Sequence, residues 1–438
     1  MSIMKKVNLY FLLSLSVGII LRVIALLFLA PNVDMYGYIE GARGIIEFDY
    51  TSHRPPGYPA IIVPFLLLTN NGLLSAKLAS FSSGIGLIIT SYFVFQKATL
   101  KIYNNSEADT QKKASYIGLF VSVFISLNFL FIVNNGSALR EDLIAIIVLL
   151  IFYFIIVKDE TNFKIYFILT FLIVFLTLTL LTAGIFLVFG IFVFYILCKL
   201  KWFEFKNVPF QKIGILIIAC ALTVLLWLVF SYFKFGDPFY NWHSHTSWFR
   251  THTIVDLNSI EGIGIIILRA ATVGVIQIFV SMTFYVGFFF TFLILYILKK
   301  NIKTRQIFFI FIVVGLNFAY LSVFITTPRL IMYFFPILFY LGVFPMINIY
   351  MEWRKNTGET TNNKNNSLLK TPKVLLPAYF ITYCLRNFYL MFFFPVEDKP
   401  IPIVVTVITI SIIFLIINEI IIVLYFAKNN QVKYALME

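Results

Sequence analysis

Residues 7–30 read VNLYFLLSLSVGIILRVIALLFLA, and they are followed at once by Pro31-Asn-Val-Asp34. A run of 24 residues that is almost wholly apolar, interrupted by Arg22 alone among charged side chains, is long enough to cross the hydrocarbon of a bilayer as a helix. It is too long for a signal-peptide core and has no clear cleavage site, so it reads as a retained signal anchor. The whole chain follows the same plan. Hydrophobic residues make up 60% of the 438 positions and charged residues 12%, where a soluble chain carries roughly a quarter charged residues. The expectation is an all-α, polytopic membrane protein.

Taking the apolar runs in order predicts about twelve transmembrane helices, with eleven to thirteen as the range. They fall near 8–30, 74–96, 114–133, 143–157, 165–181, 183–198, 213–233, 277–298, 306–325, 330–350, 374–394 and 401–427. The formal net charge of +14 is distributed by topology. Of 34 Lys and Arg residues, 23 lie in segments on one side of this arrangement and 8 on the other, which is the positive-inside pattern and puts both termini in the cytoplasm. No basic domain exists for nucleic acid. Acidic residues lean the other way, with 11 of 20 outside, and all four histidines lie outside as well. Cys198, Cys220 and Cys384 sit in or at the end of apolar runs, with no spacing for a disulfide frame or metal knuckle.

Three outer loops, 31–72, 134–142 and 234–281, hold the side chains capable of chemistry. The first opens Asn32-Val-Asp-Met-Tyr-Gly-Tyr-Ile-Glu40, with a short helix expected over 36–46. Asp34 stands at the membrane boundary, where a carboxylate can either cap that helix or take a proton from an acceptor hydroxyl. Tyr38, four residues on, shares its helical face. The loop continues His53-Arg-Pro-Pro-Gly-Tyr-Pro59, whose prolines are expected to hold the chain in a non-helical entry to the next apolar run. His53, Arg54 and Tyr58 are candidate substrate- or phosphate-binding residues there. The second loop ends Arg140-Glu-Asp142. Its acids fall in a helix first turn, where the dipole alone would favour them, and Arg140, Glu141 and Asp142 are also candidates for substrate contact. The third carries His243-Ser-His245 and Arg250. The histidine pair could give two ligands to a divalent metal, but no third ligand is in view, and contact with substrate or the membrane interface is the alternative. Arg329 opens the tenth run and could hold a phosphate bidentately or anchor at the headgroups.

In this order, these elements resemble the C-type (GT-C) glycosyltransferases, and most of all their protein-mannosyltransferase and aminoarabinose-transferase-like branch. The resemblance rests on Asp34 after the first span and on Arg54-Pro-Pro-Gly-Tyr-Pro59. Further along it rests on Arg140-Glu-Asp-Leu143, on Tyr232-Phe-Lys-Phe-Gly-Asp-Pro-Phe239, and on Arg329 with Pro336. It spans about residues 1–345 and implies a transferase that moves a sugar, with inversion, from a dolichyl- or undecaprenyl-type polyprenyl phosphate to a protein, lipid or glycan acceptor at the outer or lumenal face. By the same resemblance Asp34 is the general base, Glu141 a second acid and Arg329 a contact of the lipid phosphate, with no cofactor required. Two positions depart from the relatives' pattern: Met35 stands where many have a second acid, and Leu181-Thr-Ala-Gly184 where many have an arginine.

The expected organisation is a catalytic transmembrane module over 1–350, a flexible inner loop over 351–373, and two further helices with a short tail over 374–438. The expected location is the plasma membrane of a prokaryote or the endoplasmic reticulum of a eukaryote. The competing class is a transporter or lipid flippase, which would place its ionisable residues at mid-membrane.

Overall fold

The computed structural model describes residues 3–52, 54–103, 108–158, 162–199 and 210–240, together with most of 332–351. Every regular element among them is helical. The helix α1 (Ile3–Phe28) is followed by α2 (Asp34–Ile46), α3 (Gly57–Thr69) and α4 (Gly72–Tyr103). Then come α5 (Ala108–Leu127), α6 (Phe129–Gly136), α7 (Glu141–Phe152), α8 (Phe163–Thr179), α9 (Leu181–Lys199) and α10 (Phe210–Phe235). Three are long and apolar enough to cross a membrane, over Val7–Phe28, Gly72–Lys101 and Gln211–Phe235, and a bent pair, α5 with α6, makes a fourth if taken as one span. The later expected spans, apart from the part of 330–350 that is described, lie outside the described residues.

The sequence punctuates these helices visibly. Pro31 cannot continue α1, and Asn32 starts α2: its side-chain oxygen accepts from Asp34 N–H at 2.9 Å and its carbonyl from Met35 N–H at 3.0 Å. Asn70, in the left-handed region at φ 50°, ends α3, and Asn71 Oδ1 accepts from Leu74 N–H at 3.1 Å in the first turn of α4. At 32 residues, α4 is about 48 Å long at ~1.5 Å per residue, more than a bilayer core requires.

Three expectations need correction in detail. The run 114–133 is not one straight helix: the chain turns by 52° where Asn128 adopts extended backbone between α5 and α6. The first outer loop carries two short helices, the run after the prolines forming α3 as a separate element before α4. The entry through Arg54–Pro59 is not wholly extended either. Pro56 caps α3, while Gly57, Tyr58 and Pro59 form its first turn, where a proline lacks no hydrogen bond because those N–H groups have no intrahelical acceptor. Pro64 does sit inside α3. The short helix expected over 36–46 begins two residues earlier, at Asp34.

Two apolar clusters result. The larger lies within the bundle of α1 and α4–α10 and includes aromatic residues from 332–351. Phe95 stacks on Tyr340 with ring centroids 4.6 Å apart, and Phe124 on Phe339 at 5.8 Å. The smaller cluster joins Met35, Tyr38, Ile39 and Ala42 of α2 to Tyr58, Ile62 and Leu66 of α3, with Ala76 and Ala79 of α4 and Ala138. It makes a cap at one end of the bundle. On α1 and α10, Leu12, Leu13, Ile20, Leu27, Ile218, Leu222, Leu225 and Leu226 remain exposed among the described residues, as a lipid-facing surface requires.

Two lysines close helix ends. Lys77 Nζ donates to the carbonyls of Leu26 at 2.6 Å and Leu29 at 3.1 Å, at the C-terminus of α1. Lys212 Nζ donates to Phe154 O at 3.0 Å where α7 runs out through a π turn at Tyr153–Val157. Terminal carbonyls have no partner within their own helix, and a cation there also meets the negative end of the dipole.

Candidate active site

The cap cluster carries the site. In α2, Gly37, Gly41 and Gly44 lie on one face, against which Asp49, Tyr50, Arg54 and Pro59 are laid. A methyl on Gly37 would come 2.8 Å from Arg54 Nε, and one on Gly41 would come 3.0 Å from both Pro59 Cγ and the Tyr50 hydroxyl. Only this stripe lets Arg54 lie so close over the helix. Ser52 fixes the approach further: its hydroxyl donates to Gly37 O at 3.1 Å and accepts from Arg54 N–H at 3.2 Å. Tyr50 Oη donates to Arg54 O.

Held there, Arg54 donates to Asp34 Oδ1 at 2.6 Å, and the two side chains keep 17% and 26% of their exposure. Asp34 therefore does not cap its helix. The N-cap is Val33, with no side-chain capping bond, and the carboxylate faces Arg54 at the protein surface. The Arg54 guanidinium lies 4.9 Å from the ring centre of Tyr38, and the Arg140 guanidinium 5.3 Å from the same ring. Two cations from separate loops thus converge on one aromatic side chain. Both arginines keep a buried Nε with no hydrogen-bond partner among the described residues, as does the Tyr38 hydroxyl.

Tyr38 and Tyr58 pack edge to face with centroids 5.0 Å apart, an arrangement worth about 0.5–1.5 kcal/mol beyond area burial. Burial pushes the Tyr38 phenol up, against the pull of Arg140, and burial likewise raises Tyr58. Both rings are therefore neutral at physiological pH.

Tyr58 is fully buried and its hydroxyl donates to Leu139 O at 3.2 Å; Ser80 Oγ donates to the same carbonyl at 2.8 Å. This pair clamps the corner between α6 and α7, where Ala138 takes φ 59°. Asn32 N–H adds a bond to Ser137 O at 3.1 Å. The corner delivers Arg140, whose Nη1 donates to Thr179 O at 2.9 Å and so closes α8. That carbonyl stands just before the extended break at Leu180. Glu141 and Asp142 occupy the first turn of α7, and both are buried. Asp142 is turned inward, where its Oδ2 accepts from Asn135 Nδ2.

Of the sequence candidates, the structure thus brings Asp34, Arg54, Tyr58, Arg140, Glu141 and Asp142 to one end of the bundle. His53, His243, His245, Arg250 and Arg329 lie outside the described residues. Among the described residues no three or more His, Cys, Asp or Glu side chains lie together in a metal-holding group. Sequence reasoning placed Tyr38 on the face of Asp34 but did not foresee it as the ring between two guanidiniums. Nor did it foresee the layer below the site formed by Arg22, Gly84 and Asn135. The adjacent Asn134-Asn135 in a run that also ends in two acids was the available signal.

No family model matches the chain, and no curated protein does. Solved structures do. ArnT from Cupriavidus metallidurans bound to undecaprenyl phosphate superposes with a TM-score of 0.55 at 16% identity, covering 93% of this chain and 76% of that one. The same protein in the apo state gives a TM-score of 0.52 at 14% identity, covering 96% and 76%. Over nearly its whole length, this chain has the fold of ArnT.

Proposed function

We propose that the chain is a membrane glycosyltransferase. In this reading it moves a sugar from a polyprenyl-phosphate donor to an acceptor hydroxyl or amine at the outer face, with inversion. The observation that carries the proposal is the Asp34–Arg54 pair with Arg140 about Tyr38. A partly exposed carboxylate beside two cations suits the meeting of a lipid phosphate and an acceptor. The ArnT structure with undecaprenyl phosphate bound supports a ligand of that class.

The reaction asks little of the protein. The acceptor oxygen or nitrogen attacks the anomeric carbon, the bond from that carbon to the phosphate oxygen breaks, and the phosphate departs on its lipid. Asp34 takes the acceptor's proton. Arg54, released from Asp34, binds the departing phosphate with Arg140 beside it, and charge-assisted bonds of this kind strengthen as the leaving oxygen gains charge. Glu141 holds the acceptor or the donor sugar. His53, His243, His245, Arg250 and Arg329 are assigned to the donor side, and a divalent metal is not required. Residues 1–350 form the catalytic module, the polyprenyl tail lies along apolar helix faces, and both chain termini are cytoplasmic.

The test is to incubate the purified chain in lipid nanodiscs with a panel of radiolabelled polyprenyl-phosphate sugars and to follow release of the lipid phosphate. Turnover of one donor that disappears in Asp34→Asn supports the reading. Substrate movement across a bilayer with no donor turnover would replace it with a transporter.

A further inference from the structure

Below the site, α5 stops at Leu127 and the chain bends by 52° into α6. In an unbroken helix the Leu130 amide would bond Ser126 O. Here it bonds Asn128 Oδ1 at 3.1 Å instead, so the last carbonyls of α5 lose their helical partners. Arg22, fully buried in α1, supplies replacements: Nη1 donates to Ser126 O at 3.2 Å and to Gly18 O at 3.3 Å, and Nη2 donates to Ile125 O at 3.4 Å. Its Nε has no hydrogen-bond partner among the described residues.

The opposite side of this guanidinium meets α4 at Gly84. A methyl on Gly84 would fall 2.7 Å from Arg22 Nε and 2.5–2.6 Å from the two side-chain amide atoms of Asn135. Asn135, near the end of α6, donates to Ser80 O at 2.9 Å and to Asp142 Oδ2. Arg22 also lies within electrostatic reach of Asp142, whose Oδ1 has no hydrogen-bond partner among the described residues. A buried polar layer thus runs from Arg22 past Gly84 and Asn135 to Asp142, next to Glu141 and Arg140.

We propose that Arg22 is a positioning residue for the candidate active site. By closing the broken end of α5 and facing Asp142 across Gly84, it fixes the α6–α7 corner at the height that sets Arg140 over Tyr38 and Glu141 beside them. The inference rests on the proposed function for its catalytic consequence, but its structural consequence stands independently. An uncompensated charge this deep is costly, so the layer has one low-energy arrangement and holds the corner firmly.

The experiment compares the full-length protein with Arg22→Gln in nanodiscs, by amide hydrogen exchange and by donor turnover. Faster exchange across residues 137–144, by about tenfold or more, with α10 unchanged supports the proposal. Unchanged exchange in that segment, or an equal rise throughout the bundle, overturns it. In turnover, kcat is expected to fall about 100-fold, the scale of a 1 Å misplacement, while KM for the donor stays within about threefold. Wild-type kcat in a folded Arg22→Gln chain overturns the proposal. If the wild-type chain turns over no donor, the proposed function fails instead, and hydrogen exchange alone decides the role of Arg22. Should Arg22→Gln not fold, Gly84→Ala carries the same test, because its methyl must displace Arg22 or Asn135.

Discussion

Two arginine–aspartate arrangements lie near each other in this chain, and they are built in opposite ways. At the surface, Arg54 and Asp34 touch at 2.6 Å with part of each side chain exposed. Inside, Arg22 is fully buried and spends its donors on the carbonyls at 125, 126 and 18, while Asp142 turns to Asn135. The inner arginine is bound to the backbone and cannot exchange partners without breaking a helix end. The outer pair is partly exposed, and in the proposed function an incoming phosphate takes Arg54 while Asp34 acts as the base. In that reading identical residue types serve architecture in one place and chemistry in the other, and what separates them is exposure to the surface.

The sharpest way to break that contrast is Asp34→Asn. If Asp34 is the base, turnover of the accepted donor falls by about 10²–10⁴-fold, the usual contribution of a positioned proton acceptor. The thermal midpoint should stay within a few degrees, because the pair is partly exposed. Equilibrium binding of undecaprenyl phosphate should hold or tighten, since Arg54 has lost its competitor. Weaker binding together with full turnover would mean that Asp34 serves structure, as Asp142 does.

Arg54→Lys should have the next largest effect. Lysine keeps the charge but loses the planar fork and the stacking over Tyr38. Donor KM is expected to rise about tenfold with kcat reduced as well, whereas Arg140→Lys should also destabilise the fold through the lost bond to Thr179 O. Kinetics and thermal melts on the two variants separate a phosphate ligand from a helix-closing cation.

Tyr58→Phe probes the wall between the two regions. It removes the bond to Leu139 O, for an expected loss of about 1 kcal/mol, with turnover changed less than tenfold. Burial raises the phenols of Tyr38 and Tyr58, so the fold prefers their protonated forms. That stability is fully present below the unfolded tyrosine pKa of about 10 and is lost as pH rises beyond it. Melting curves from pH 8 to pH 11 should therefore fall at the alkaline end, and fall less steeply in Tyr58→Phe.

How much of this was visible in the residues alone depended on the range of the interaction. The span from Val7 to Phe28, the short helix that follows it and the acids opening α7 are local and periodic, and each was legible, though the helix starts two residues before the expected 36–46. Asp34 and Arg54 were legible as members of one site because only a short loop separates them. Partners from separate spans were not. Nothing in the pattern around Arg22 announces the carbonyls of Ile125 and Ser126, because that need arises only where α5 breaks. The break itself was hidden because Asn128 stands in a run that reads as continuously apolar. The helical first turn at Gly57–Pro59 was missed for a different reason: proline penalises a helix interior but not its first turn.

The smallest expected effect comes from the other ion pair in the described surface, Lys234 at the end of α10 with Asp49 of the first outer loop. Its oxygen–nitrogen distance, 2.6 Å, equals that of Arg54 and Asp34, but the side chains are 35% and 64% exposed. If distance governed the energetics, Lys234→Ala would cost as much as breaking the site pair. Solvent screening argues otherwise: exposed pairs contribute roughly 0–1 kcal/mol and lose most of that in salt. Lys234→Ala should therefore leave the thermal midpoint and donor turnover unchanged within error. A clear loss of turnover would mean that the Lys234 contact holds the loop bearing Arg54 in place, and the active region would then extend from α2 and α3 to the end of α10.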